Sequence, residues 1–238
     1  MFNLKLALRT LFRTPFVTAV AILSLGLGIG ANGAIFSLFN QILLRPLPVA
    51  DPGSLVNLAA PGPKSGMNSC SNAGPCTAVF SLPMFRDLEQ RQTSFTGIAA
   101  HRNFGGNLSF KGQSMGGEGL QVSGSYFPVL GLTPAAGRLL TPADDRAAGE
   151  SPVAVLSHRY WQTRFNGDPA AVNETITING RAFTIVGVAP AGFDGTTVGS
   201  RPEVFVPITM SELLEPGRKV IDNRRAYWVY LFARLKPG

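Results

Sequence analysis

Side chains for catalysis or metal binding are scarce in these 238 residues, which hold only two histidines and two cysteines. Two cysteines exclude a disulfide-built scaffold and a four-cysteine zinc site. Charge is scarce as well. Asp, Glu, Lys and Arg make up 15% of the chain, against roughly 25% in an average soluble domain, a deficit that points to contact with lipid. Also missing are the G-x-S-x-G nucleophile elbow, the HExxH zinc helix and the G-x-x-x-x-G-K-S/T phosphate loop. The one serine next to a histidine, Ser157-His158, stands where a helix begins. Adjacent side chains there point apart, so Ser157 reads as a helix cap. Catalytic, cofactor-binding and metal-binding residues are therefore all assigned as none, and the chain reads as no enzyme.

What is present is apolar. Hydrophobic residues form 45% of the chain, too much for a disordered protein. The net charge of +7 is uneven: Lys5, Arg9, Arg13 and Arg45 flank one apolar stretch, leaving 17 basic against 14 acidic residues from position 46 onward. That balance is an ordinary surface, and no basic run interleaved with aromatics points to nucleic acid.

Residues 14–44 carry no charge. As a helix they would reach roughly 46 Å, enough to cross the hydrocarbon core with tilt. Asn32, Asn40 and Gln41 make the second half less lipid-like. Gly26, Gly30 and Ala34 recur every fourth residue, a spacing that permits close packing between membrane helices. Common small residues in such helices are the plainer explanation. Lys5, Arg9 and Arg13 make a basic stripe beside Leu4, Leu8, Leu11 and Phe12, which suits an amphipathic helix at residues 1–13 on the inner leaflet. The positive-inside rule then puts the N-terminus in the cytoplasm and residues 45–238 outside. A cleaved signal peptide would be cut near Ala31–Ala34, but the apolar run continues ten residues further.

Gly28, Gly30 and Gly33 match the dinucleotide fingerprint G-x-G-x-x-G. A second strand ending in an acidic residue should follow. Instead Pro46, Pro48 and Pro52 surround Asp51, and proline breaks a sheet ladder. A soluble nucleotide-dependent enzyme is thus a weak third reading.

Beyond the membrane, Cys70 and Cys76 bracket a five-residue loop. In an oxidising compartment the pair would form a small disulfide clasp, with unpaired thiols as the alternative. A strand is predicted at Leu55–Ala60, and a helix from a Ser81 cap to Gln92 with Leu82, Phe85 and Leu88 on one face. Separate short strands are expected near Gly97–His101, Asn107–Phe110 and Gly119–Ser123. Tyr126–Gly131 reads as a helical turn, followed by a loop to Asp145 in which Asp144, Asp145 and Glu150 are solvated charges. Val153–Leu156 is a buried strand, and Ser157 caps a helix through Phe165. Thr175–Ile178, Asn179-Gly180 and Arg181–Val188 form a hairpin on a favoured two-residue turn. Glu203–Pro207 and Tyr227–Ala233 are further strands. The predicted class is α+β: one transmembrane helix, then a mixed extracytoplasmic domain with mostly antiparallel strands.

The block Pro152–Phe193 carries a resemblance. Val153–Ser157, Trp161, Phe165, Gly167-Asp168-Pro169, Ile176–Gly180, Val186–Pro190 and Phe193 resemble the periplasmic core domain of MacB-type, FtsX-like ABC transporter permeases. Thr14-Pro15, Arg45–Pro48, Tyr126–Leu132 and Gly137-Arg138 extend the match over essentially the whole chain. It is similar to the duplicated permeases of this family in soil bacteria. The resemblance implies a bacterial inner-membrane permease in export or mechanotransmission, with a cytoplasmic ABC ATPase and a second permease unit as partners. It also implies an outer domain of two lobes, residues 45–110 with 227–233 in one and 130–210 in the other. The family has three further membrane helices after this domain, so the chain is expected to be a fragment, truncated at its C-terminal end. The alternative is a membrane-tethered periplasmic binding or adaptor module without an ATPase.

Overall fold

The computed structural model describes Arg13, residues 15–39 and residues 47–237. They fall into two compact units divided between Pro46 and Leu47. The first contains α1 (Pro15–Phe39), 25 residues without a charge. Through Ser37 its side chains are exposed except Thr18, which is half-exposed. A helix satisfies its backbone polar groups internally, as a segment crossing an apolar phase must.

The second unit is built on one sheet. Its strands are β1 (Leu55–Leu58), β2 (Met67–Asn68), β3 (Val79–Phe80), β4 (Phe95–Phe110), β5 (Gln113–Val122) and β6 (Ala136–Gly137). They continue as β7 (Val153–Leu156), β8 (Thr175–Ile178), β9 (Arg181–Val188), β10 (Val204–Pro207), β11 (Ala226–Tyr227) and β12 (Val229–Leu235). The helices are α2 (Leu82–Arg91), α3 (Tyr126–Leu130), α4 (His158–Phe165) and α5 (Ser211–Leu214). The main sheet runs β1-β12-β4-β5-β10-β7-β9-β6, with β3 on β12 and β8 on β4 and β9. Most pairings are antiparallel; β5–β10, β7–β9 and the small β2–β11 pair are parallel.

Strand β4 explains how two halves share one sheet. Its first half pairs with β12, from Phe95 to His101. Its far end pairs with β8 through Leu108 and Ser109. From His101 to its end it pairs with β5, in register from His101–Val122 to Phe110–Gln113. The short strands expected around residues 97–123 are therefore one long hairpin. Lys111 and Gly112 turn it with φ of 46° and 79°, the geometry of a two-residue hairpin turn without the usual Asn-Gly signature. At Gly119, one of the glycines that read as breaks, a neighbouring ring fills the space: a Cβ there would lie 2.3 Å from the Phe104 ring.

Other expectations meet the structure more directly. Asn179 and Gly180 turn the β8–β9 hairpin at φ of 49° and 76°. Ser81 and Ser157 cap α2 and α4, accepting from the backbone N–H groups of Met84 and Tyr160. Leu88, assigned to the buried face of α2, is exposed, while Leu82 and Phe85 are buried. The strand expected at Tyr227–Ala233 is split by Trp228 into β11 and β12. Three apolar clusters fill the domain: Leu156, Phe165 and Phe183 at the β7–β9 end, Trp228, Phe85 and Ile98 at the β12 end, and Tyr126, Phe127, Phe193 and Phe205 between.

Candidate functional site

The sequence-assigned residues lie in both units. In α1, Gly26, Gly30 and Ala34 are exposed, and a Cβ at either glycine would meet nothing within 4 Å. Arg13 is exposed; Lys5 and Arg9 lie outside the described residues. Pro15–Ser37, with mean hydropathy 1.8, is long and apolar enough to cross a membrane by length and composition. Gly28, Gly30 and Gly33 stand inside the uninterrupted helix, where no strand-to-helix turn forms to approach a pyrophosphate.

Cys70 and Cys76 are joined as a disulfide, with Cα atoms 5.1 Å apart. The clasp is docked on β12. The Tyr230 hydroxyl accepts from the Ser71 N–H at 3.0 Å and lies 2.8 Å from the Gly74 carbonyl. Lys64 Nζ donates to the Thr77 carbonyl at 2.8 Å, and Arg225 Nε to that of Ser65 at 3.1 Å. A loop of small polar residues is thus held by side chains from outside it.

Asp144 and Asp145, read from sequence as solvated, are buried. Thr141 caps the turn Pro142–Asp145, and Arg138 grips Asp144 through two bonds of 2.7 and 2.8 Å. Burial pushes the Asp144 carboxyl up, but Arg138 and the Thr141 N–H and hydroxyl together bring it below the usual carboxylate value. Asp145 accepts from Arg86 at 2.6 Å, the Gly124 N–H at 3.0 Å and the Thr209 N–H at 3.3 Å. One carboxylate therefore ties α2, the β5–α3 turn and the segment after β10. No sequence spacing shows this, because its partners lie 21 to 64 residues away.

Two further groups escaped sequence reasoning. His101 on β4 is buried among Tyr126, Tyr230 and Phe232, with ring centroids 5.8–6.2 Å away. Its Nδ1 has no partner among the described residues, and burial pushes its pKa down to about 4. Arg102, the next residue, points to the other face of β4 and donates to Glu215 at 2.7 Å. Arg218 shares that carboxylate, and both guanidiniums lie about the Trp228 ring, 5.8 and 6.0 Å from its centroid. The one hint in the sequence is that His101 and Arg102 directly follow the apolar run Ile98–Ala100. Among the described residues no three His, Cys, Asp or Glu side chains gather as a metal site. The buried polar groups tie distant segments of the domain to one another.

The fold has solved counterparts. The periplasmic region of MacB from Actinobacillus actinomycetemcomitans is similar at TM-score 0.54 and 16% identity, covering 73% of each chain. The extracellular domain of the noncanonic ABC-type transporter YknZ from Gram-positive bacteria is similar at TM-score 0.52 and 15% identity, covering 77% of this chain and 84% of that one. No curated protein sequence matches this one. The family described as the MacB-like periplasmic core domain matches residues 18–238, nearly all of α1 and the whole sheet domain alike. The chain belongs to the MacB-like periplasmic core domain family of ABC-type transporter permeases.

Proposed function

We propose that this chain works within a permease subunit of an ABC-type export or mechanotransmission system in the bacterial inner membrane. Residues 14–44 cross the bilayer with the N-terminus in the cytoplasm, and residues 45–238 form the extracytoplasmic domain. A cytoplasmic ABC ATPase drives the system, and a second permease unit packs through the face of Gly26, Gly30 and Ala34. The observation that carries this reading is an uncharged apolar helix, long enough to cross a membrane, shortly before a MacB-like periplasmic domain. Lys5, Arg9 and Arg13 on one side of that helix support the orientation. The Cys70–Cys76 bond supports an oxidising compartment for the domain.

Protease treatment of intact spheroplasts carrying a C-terminally tagged chain tests the topology. Loss of the tag with a small membrane-bound stub is the expected result. A tag that survives digestion and fractionates as soluble overturns it. Crosslinking from Lys5 to a cytoplasmic ATPase then tests the partner, and failure to recover any ATPase favours a tethered module working alone.

A further inference from the structure

Between α2 and the segment that follows the Asp144-Asp145 turn lies a cleft of about 440 Å³. That is within the size range of small-ligand sites, roughly 300–1,000 Å³. Its walls carry three guanidiniums (Arg86, Arg146, Arg224) and two carboxylates (Asp87, Asp222), set among Leu82, Pro83, Ala147, Ala148 and Ile221. Most of this charge is already used. Arg86 is held by Asp145 and Glu89, and Arg224 by Asp87 at 2.6 Å. Arg146 and Asp222 have no hydrogen-bond or ion-pair partner among the described residues, and they do not pair with each other. Thr209 lines the same cleft; it is 4% exposed, and its Oγ1 has no partner. A buried hydroxyl without a partner costs free energy that a bound polar group would recover.

Among the described residues, the cleft is therefore lined by one unpaired cation, one unpaired anion, a threonine whose buried hydroxyl is unpaired, and apolar side chains. A polyanion would meet Asp222, and a simple amine would meet Arg146. We propose that the cleft binds a short peptide with free termini, its carboxylate on Arg146, its ammonium on Asp222 and an apolar side chain against Leu82 and Ile221. The Thr209 hydroxyl takes a polar group of the peptide backbone. This site needs only the folded sheet domain, so it stands or falls separately from the membrane topology.

The test is titration calorimetry on the full chain in lipid nanodiscs with alanyl-leucyl-alanine and its two blocked forms, C-amidated and N-acetylated. Saturable binding is expected for the free peptide, weakened about 10-fold by blocking either terminus, as the loss of one charge-assisted contact requires. Arg146→Ala should abolish discrimination against the amide while keeping that against the acetylated form, and Asp222→Asn should do the reverse. Both side chains are exposed and unpaired, so unchanged thermal melting serves as the folding control. Thr209→Val should weaken all three peptides alike. No saturation with millimolar free peptide overturns the proposal, as does a preference for free termini that survives in both charge variants.

Discussion

The helix at residues 15–39 and the sheet domain from residue 47 both use glycine, for opposite reasons. In the helix, a Cβ added at Gly26, Gly28, Gly30 or Gly33 would meet nothing within 4 Å. In the domain, one added at Gly124 would lie 2.5 Å from the Thr141 carbonyl, and one at Gly187 would lie 2.1 Å from that of Arg138. Gly124 and Gly187 let the backbone close on itself, whereas the helix glycines thin a surface that the helix itself does not cover. Charge divides the two regions in the same way. The helix has none, while the domain holds Asp145 beneath a guanidinium and two backbone N–H groups. A segment facing lipid avoids charge because nothing there solvates it, and a water-surrounded domain buries charge only with partners. Stability should accordingly respond to changes in the domain and barely to changes in the helix.

The largest effect is expected at Asp145. Asp145→Ala removes the buried carboxylate from Arg86, which keeps Glu89 and the residue-145 carbonyl, and leaves the Gly124 and Thr209 N–H groups unpaired; it should destabilise the domain by about 3–5 kcal/mol. Denaturant unfolding of the purified chain followed by Trp fluorescence checks it, and a loss under about 1 kcal/mol would show Asp145 to be dispensable.

His101 should make the domain sensitive to acid. Its folded pKa of about 4 lies below its ordinary 6.5, so between those values the unfolded chain takes up a proton that the folded domain refuses. Its contribution is complete above pH 6.5 and is lost as pH falls towards 4, by about 3 kcal/mol. His101→Phe should remove that part of the slope. Asp144 acts lower: its depressed pKa means its contribution disappears only as pH falls below the ordinary carboxylate value. Melting temperatures of both chains from pH 7 to 4 measure the difference, and parallel curves would refute the assignment.

The clasp should matter less. Replacing Cys70 and Cys76 by serine reopens a short loop, for which the chain-entropy estimate is about 2 kcal/mol. Thiol alkylation before and after reduction reports whether the bond exists in cells; full labelling without reductant would show it does not.

The smallest effect on the fold is expected in the helix. Gly30→Leu should leave the unfolding of the domain within about 0.5 kcal/mol of the parent. In membranes it should lower the crosslinking yield between copies of the chain. Unchanged yields would mean that Gly26, Gly30 and Ala34 are not a packing face.

Local patterns were legible where a few neighbouring residues decide the outcome. The β8–β9 hairpin follows from Asn179-Gly180, the caps from Ser81 and Ser157, and the end of α4 from Asn166-Gly167, with the Trp161 indole N–H closing on the Asp168 carbonyl at 2.8 Å. The β4–β5 hairpin was not legible, because Lys111-Gly112 is an uncommon turn and six glycines interrupt the strands. Asp144 and Asp145 misled for a related reason. A proline-flanked acidic pair in a loop looks solvated until the fold brings Arg86 and Thr209 to it.

By itself the sequence determined that one segment is long and apolar enough to cross a membrane and that a mixed α+β domain follows it. An uncharged run and a 3.6- or two-residue period are properties of neighbouring positions, and solvent acts on them directly. The tertiary structure alone decided that β4 joins both halves in one sheet and that His101 loses its water. It also decided that Arg146 and Asp222 face the same cleft from segments 76 residues apart. Those outcomes depend on contacts between distant parts of the chain, whose free energy exists only once the whole sheet has closed.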